Sequence, residues 1–274
     1  MLKGVNQWCF PKGTPLKELF EVSQKAGFDV VELNLNPEGE VGLTADTTPE
    51  QARQIANLAR DHNIQLPSVS TSLLWKFPLS SDDPSVRELG RQVITKQIEL
   101  AAEIGADTVL VVPGAVNDTT TYEDCYERSR NELEKIVPIA EKHQIRIGIE
   151  NVWNKFLLSP LEMKQYVEHF DSSYMGVYFD VGNIILYGFP EQWIRYLDSK
   201  IFKIHVKDFR RNVGTGAGFV PLLSGDVNWP EVVKALREIN YKGALTAEIG
   251  IYPHSPLQAV YDTANQLDAI LAMK

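Results

Sequence analysis

Cysteine is nearly absent. The two residues, Cys9 and Cys125, are too few for a disulfide scaffold or a cysteine-rich zinc site, and a reducing cytoplasm is the expected setting. No run of 18 apolar residues occurs, which excludes a helical membrane span. The opening Met1-Leu2-Lys3-Gly4-Val5-Asn6 lacks the apolar stretch of a signal peptide. Positive charge is in deficit: the net charge of −9 works against non-specific binding to nucleic acid, which favours a basic surface. No linker, low-complexity tract or solenoid period is present. What remains is ordinary globular usage, with 44% apolar and 23% charged residues. A chain of 274 residues is long enough for one α/β barrel, which typically needs about 250.

Short apolar strands alternate with amphipathic stretches along the whole chain. Strands are predicted near 4–6 and over 29–35, 64–70, 108–112, 145–150, 175–180, 201–206 and 244–249. Between them lie helical stretches. Thr14 is read as a cap with Pro15 in first position, and Gly27 stops that helix. Thr48-Pro49, Pro84, Ser159-Pro160, Asn228-Trp229-Pro230 and Ser255-Pro256 open others, and two more run over 122–143 and 191–197. Residues 71–83 read as a longer loop carrying Trp75 and Phe77. Eight strands alternating with eight helices imply parallel pairing through right-handed crossovers. That is the closing number of a single (β/α)₈ TIM barrel, expected as one domain over residues 1–274. A doubly wound dinucleotide-binding sheet is disfavoured, because the turn after the first strand, Asn6-Gln7-Trp8-Cys9-Phe10, has no glycine.

Barrel chemistry sits at the C-terminal ends of strands. Strand five ends in Glu150, strand six in Asp180, strand seven carries His205 and strand eight carries Glu248. One carboxylate at a strand end is commonly a solvated loop residue, and one histidine commonly a satisfied core group. Four such residues on four successive strands, spaced about 5 Å apart, converge on a point. Converged carboxylates repel unless compensated, and one divalent cation compensates them. An oxygen-rich set with one nitrogen suits Mn²⁺ first, then Mg²⁺ or Co²⁺, with Zn²⁺ left open. His62, His143 and His169 fall at helix ends, and His254 in the loop after strand eight reads as surface.

At these residues the chain resembles the xylose-isomerase-like TIM barrels, in particular their sugar (phosphate) isomerase and epimerase group. The segments that carry the likeness are Ile149-Glu150-Asn151, Phe179-Asp180-Val181-Gly182-Asn183, Ile204-His205-Val206-Lys207-Asp208, Gly225-Asp226-Val227-Asn228-Trp229 and Ala247-Glu248. The resemblance implies that Glu150, Asp180, His205 and Glu248 bind one divalent metal. It implies too that Glu150 and Glu248 exchange protons with a ketose from opposite faces, through a metal-stabilised enediolate. Aldose–ketose isomerisation needs the same metal and bases, so it stays open beside epimerisation. Two departures from the tagatose-type epimerases point away from a free ketohexose. Asn183 replaces their histidine three residues after the strand-six aspartate, as in the phosphopentulose version. Asn154-Lys155-Phe156-Leu157 offers no second glutamate.

Asn151, Asn183, Lys207, Arg210, Arg211, Trp8 and Trp75 are the expected substrate-binding residues, with Trp153 in a loop on the same face. The segment from Lys207 to Gly218 joins three basic side chains to three glycines, where many barrels hold phosphate. The expected partner is therefore a small sugar or sugar phosphate, leaning to the phosphate, with no nucleic acid and no membrane. Assembly into a homo-oligomer stays open. A three-zinc nuclease of the endonuclease IV type is disfavoured by the single strand-end histidine and the acidic surface. A non-catalytic metal- or sugar-binding barrel is the other alternative, and the intact pair Glu150 and Glu248 argues against it.

Overall fold

The computed structural model describes all residues, Met1–Lys274. In chain order its elements are β1 (Leu2–Asn6), α1 (Leu16–Ala26), β2 (Val30–Asn36), β3 (Leu43–Thr44), α2 (Pro49–Asp61), β4 (Ser68–Ser70), α3 (Leu73–Lys76) and α4 (Pro84–Ile104). There follow β5 (Thr108–Val111), α5 (Tyr122–His143), β6 (Arg146–Glu150), α6 (Pro160–Glu168), β7 (Met175–Asp180), α7 (Pro190–Leu197) and β8 (Ile201–Val206). The chain ends with β9 (Asp208–Phe209), β10 (Phe219–Val220), α8 (Trp229–Glu238), β11 (Ala244–Ala247) and α9 (Pro256–Leu271). Eight strands pair in parallel in the order β1-β11-β8-β7-β6-β5-β4-β2, and β1 pairs with β2 to close the ring. The (β/α)₈ TIM barrel expected from the alternation is the architecture observed. No helix is long and apolar enough to cross a membrane.

Local chemistry explains most boundaries. Thr48 caps α2 in a reciprocal box with Gln51, and Asp83, Thr121 and Ser159 cap α4, α5 and α6 through their side chains. The first helix departs from expectation. It begins at Leu16 after Pro15, and Thr14 does not cap it. The Thr14 hydroxyl donates instead to the carbonyl of Pro11 at 2.7 Å, closing the preceding turn. The third barrel strand is also shorter than predicted. Only Ser68–Ser70 is regular, with a single bridge from Gln65 to Val30 before it. Pro67 has no N–H to give to the ladder there.

Four elements are invisible to periodicity because they are too short to show one. The 71–83 loop contains the one-turn helix α3, which carries Trp75. The two-residue β3 extends β2 above the barrel, Leu43 beside Leu35. After β8 the chain makes an antiparallel pair, β9 with β10, Phe219 opposite Phe209.

The ring closes tightly at Gly4. A Cβ there would lie 2.6 Å from Thr246 Oγ1, 2.8 Å from Val30 Cγ2 and 3.0 Å from the Thr246 Cα. The last of these is backbone, so it cannot swing away. Gly4→Ala is therefore expected to cost about 1–3 kcal/mol through overpacking. The check is a lower denaturant midpoint with an unchanged slope. An unaltered midpoint would mean that the β1–β11 seam yields freely.

Candidate active site

The strand register delivers the site. Asp180 on β7 stands level with His205 on β8, and Glu150 on β6 is level with Tyr178 on β7. Glu248 follows the last residue of β11, and its N–H still reaches the carbonyl of Val206 at 3.1 Å. The four predicted residues do converge: one ligand atom from each of Glu150, Asp180, His205 and Glu248 lies within 4.8 Å of all the others. His205 Nδ1 is 3.0 Å from Glu248 Oε2 and 3.8 Å from Glu150 Oε1. His205 Nδ1 and Asp180 Oδ2 are both buried and make no hydrogen bond. Buried polar atoms without partners are uncommon. Two of them facing one point, beside two more carboxylates, fit a divalent cation held by three carboxylates and an imidazole nitrogen.

The charges at this point are unequal. Burial pushes the Glu150 carboxyl up to about 7, while its neighbours His205 and Lys207 pull the other way. Burial also raises Asp180. Burial works on Glu248 in the same sense, but the Lys207 ammonium and His205 overcome it and hold that carboxyl at about 2. Lys207 Nζ lies 3.0 Å from Glu248 Oε2 and 3.3 Å from Asp180 Oδ2, and it sits over the ring of Phe219 at 5.5 Å.

A cavity of about 490 Å³ opens beside Glu248 and Lys207, walled by Trp8, Phe219 and Tyr252. That volume lies within the range of small-ligand sites, roughly 300–1,000 Å³. Trp8 also borders a second cavity of about 310 Å³, lined by Gln7, Asn34, Asn36 and Glu40. Trp8 thus lies between the two cavities. Trp75 is 48% exposed and lines neither cavity.

Asn151 and Asn183 lie at the site but are engaged with its backbone. The Asn151 amide donates to the Asp180 carbonyl and accepts from the Asp180 N–H, each at 2.8 Å. The Asn183 amide donates to the Asn151 carbonyl at 3.0 Å, and its N–H donates to Asp180 Oδ1 at 2.8 Å. Trp153 packs on Phe209 and Phe219 and donates to the Asn183 carbonyl.

In the basic segment after β8, Lys207 borders the larger cavity and the two arginines lie farther out. Arg210 and Arg211 are exposed and line neither cavity. Arg210 Nε donates to the Ser224 carbonyl at 3.0 Å, and the Arg211 N–H donates to the Asp226 carboxylate at 2.7 Å. These arginines hold the segment's own fold. Asp208 does the same, accepting from the N–H groups of Phe209 and Val227 and from the Trp229 indole. A Cβ at Gly225 would collide with that carboxylate. The Gly225-to-Trp229 motif is therefore a lock for this segment.

One group escaped the sequence reading. Glu32 on β2 is fully buried beneath the site. Its carboxylate accepts from the Asn6 amide at 2.5 Å and from the Ser68 hydroxyl at 2.6 Å. The Tyr178 hydroxyl donates to it too, and His205 Nε2 lies 2.6 Å away. The available signal was a charge inside the otherwise apolar run Val30-Val31-Glu32-Leu33.

Residues 20–269 match the family model described as xylose isomerase-like TIM barrel. SgbU of Escherichia coli K12, provisionally named L-ribulose-5-phosphate 3-epimerase, is 27% identical over 251 residues, spanning 90% of this chain and 87% of that one. L-Ribulose-5-phosphate 3-epimerase UlaE of Escherichia coli O1:K1 is 24% identical over 247 residues, 90% of this chain and 86% of that one. Among solved structures, D-psicose 3-epimerase in the presence of D-fructose superposes with a TM-score of 0.81 at 18% identity, over 99% of both chains. An L-ribulose 3-epimerase superposes with a TM-score of 0.82 at 16% identity, over 98% of this chain and 94% of that one. At these identities the structural likeness is one of fold.

A cation bound by the four residues joins the folded state only, so it should raise stability. Adding Mn²⁺ to chelator-treated protein is expected to raise the unfolding midpoint. The gain is about 2.7 kcal/mol at a hundredfold excess over Kd. Asp180→Asn should abolish most of the rise. A midpoint indifferent to Mn²⁺, Co²⁺ and Zn²⁺ would count against the site.

Proposed function

This chain belongs to the xylose isomerase-like TIM barrel family, and on that premise we propose that it is a divalent-metal-dependent epimerase of a ketose or ketose phosphate. The carrying observation is the convergence of Glu150, Asp180, His205 and Glu248, two of whose buried ligand atoms, His205 Nδ1 and Asp180 Oδ2, make no hydrogen bond. The names of SgbU and UlaE support the epimerase class and favour a phosphorylated ketose. The donor set suits Mn²⁺ first.

A cation held there supplies positive charge beside the substrate's carbonyl and hydroxyl oxygens. The chain's own groups move the proton. In strand order Glu150 and Glu248 flank Asp180 and His205, on β6 and beyond β11. Two bases on opposite flanks are what inversion of one carbon requires. Glu248, held low by Lys207 and His205, takes a proton as a carboxylate. Glu150, on the opposite flank, delivers a proton to the other face of the same carbon. Lys207 lines the cavity and has its ammonium beside both acids, placed to donate to a sugar oxygen. Trp8 and Phe219 wall the cavity and exclude water.

Glu150→Gln and Glu248→Gln should each lower turnover by roughly 10²–10⁴-fold, with substrate binding less affected. Loss of α-proton exchange in D₂O is the readout, with metal content measured alongside. A fully metallated variant that exchanges protons at the parent rate removes that residue from its role.

Substrate class is decided by kcat/KM on paired sugars. A ketopentose 5-phosphate is expected to exceed its unphosphorylated form by at least about tenfold, about 1.4 kcal/mol of transition-state binding. Preference for the free ketose would leave the epimerase reading standing and remove the phosphate.

A further inference from the structure

Glu32 is too deep to meet a sugar, and it takes no part in the proton transfers above. It is nevertheless the most heavily engaged carboxylate in the barrel, with four polar neighbours from four other strands. Three of them, Asn6, Ser68 and Tyr178, donate to it from β1, β4 and β7 and fix its position. The fourth is His205 Nε2, at 2.6 Å. Around the same imidazole ring, Nδ1 faces Glu248 and Glu150 and makes no hydrogen bond.

A neutral imidazole has one N–H and one lone pair. A carboxylate at hydrogen-bond distance from one nitrogen draws the N–H to that side. The lone pair is then left on the other. We propose that Glu32 is a positioning residue that holds the proton of His205 on Nε2 and so presents Nδ1, bare and correctly turned, to the divalent cation. The inference rests on the metal site of the proposed function. A partner of this kind also makes the coordinating nitrogen more basic, and its removal typically weakens metal affinity by about 10–100-fold.

The competing account is a buried polar plug that only packs the barrel. Glu32→Gln separates the two, because glutamine keeps the volume but loses the charge. Its metal Kd, measured for Mn²⁺ or Zn²⁺ against a competing chelator on the folded protein, is expected to weaken about 10–100-fold. A folded variant with the parent Kd would overturn the inference.

A second measurement needs only the parent. In ¹⁵N-histidine-labelled protein, with the His205 signals assigned by their loss in His205→Asn, Zn²⁺ should shift Nδ1 and leave the proton on Nε2. Coordination through Nε2 would overturn the inference even if the variant failed to fold. A parent that binds no metal would instead overturn the metal site itself, a failure visible before any variant is made.

Discussion

A negative charge sits in the middle of this barrel, and the functional end is organised around its compensation. Barrel interiors are ordinarily filled by layers of branched apolar side chains. Here one layer is polar: Asn6, Glu32, Ser68, Tyr178 and His205 meet from β1, β2, β4, β7 and β8. A buried carboxylate without partners is costly enough that it would sooner protonate. Burial acts on Glu32 in that sense, but His205 and the two hydroxyl donors outweigh it and hold the group ionised. The same contact fixes the orientation of the imidazole, with His205 Nε2 2.6 Å from the Glu32 carboxylate. A one-residue slip of β2 would turn Glu32 outward and leave His205 unsupported. The register of the barrel and the placement of the imidazole are therefore one constraint.

Above that layer the problem is repulsion. Three carboxylates share a volume less than 5 Å across with one imidazole and one ammonium. Flexible chains would relieve such crowding by turning into solvent. Each acid is instead held by a different local device. Asp180 has its backbone clamped by the side-chain amide of Asn151 and its carboxylate Oδ1 held by the N–H of Asn183. Glu248 is bracketed by Cys9, whose thiol donates to the Ala247 carbonyl at 3.2 Å and accepts from the Ile249 N–H at 3.3 Å. Burial pushes that thiol up to about 12, so it stays protonated and inert as a nucleophile. Glu150 ends a regular strand, and Lys207 rests on Phe219.

How much of this is legible in sequence follows from how local each signal is. The barrel alternation is local: each strand is a short apolar run and each helix carries its own cap. Strand-end polar residues are local too, so Glu150, Asp180, His205 and Glu248 stand out and prove to converge. What converges from the sides is not local. Glu32 and His205 are 173 residues apart, and nothing near Glu32 distinguishes a paired buried charge from one facing solvent. The arginine segment shows the limit from the other side. Its composition suits an anion, yet the guanidinium of Arg210 and the backbone of Arg211 bond to Ser224 and Asp226, about 15 residues onward. Composition records which groups are present, and the β9–β10 pair decides where they point.

The two halves of the site accordingly answer to different physics. The lower half is a closed hydrogen-bonded layer inside the ring, where displacing one partner strands a buried charge at a cost of about 3–5 kcal/mol. The upper half is a wet mouth, where Glu248 keeps 21% of its side chain exposed and the walls are loops. Rigidity below and access above are both needed. A coordinating or proton-moving group must be held to within about 0.5 Å, while a sugar must enter and leave. His205 is where the halves join, with one nitrogen in each. Its ring transmits the order of the core to the open end, and that is why a barrel whose loops can change so freely can still hold its four strand-end residues around one point.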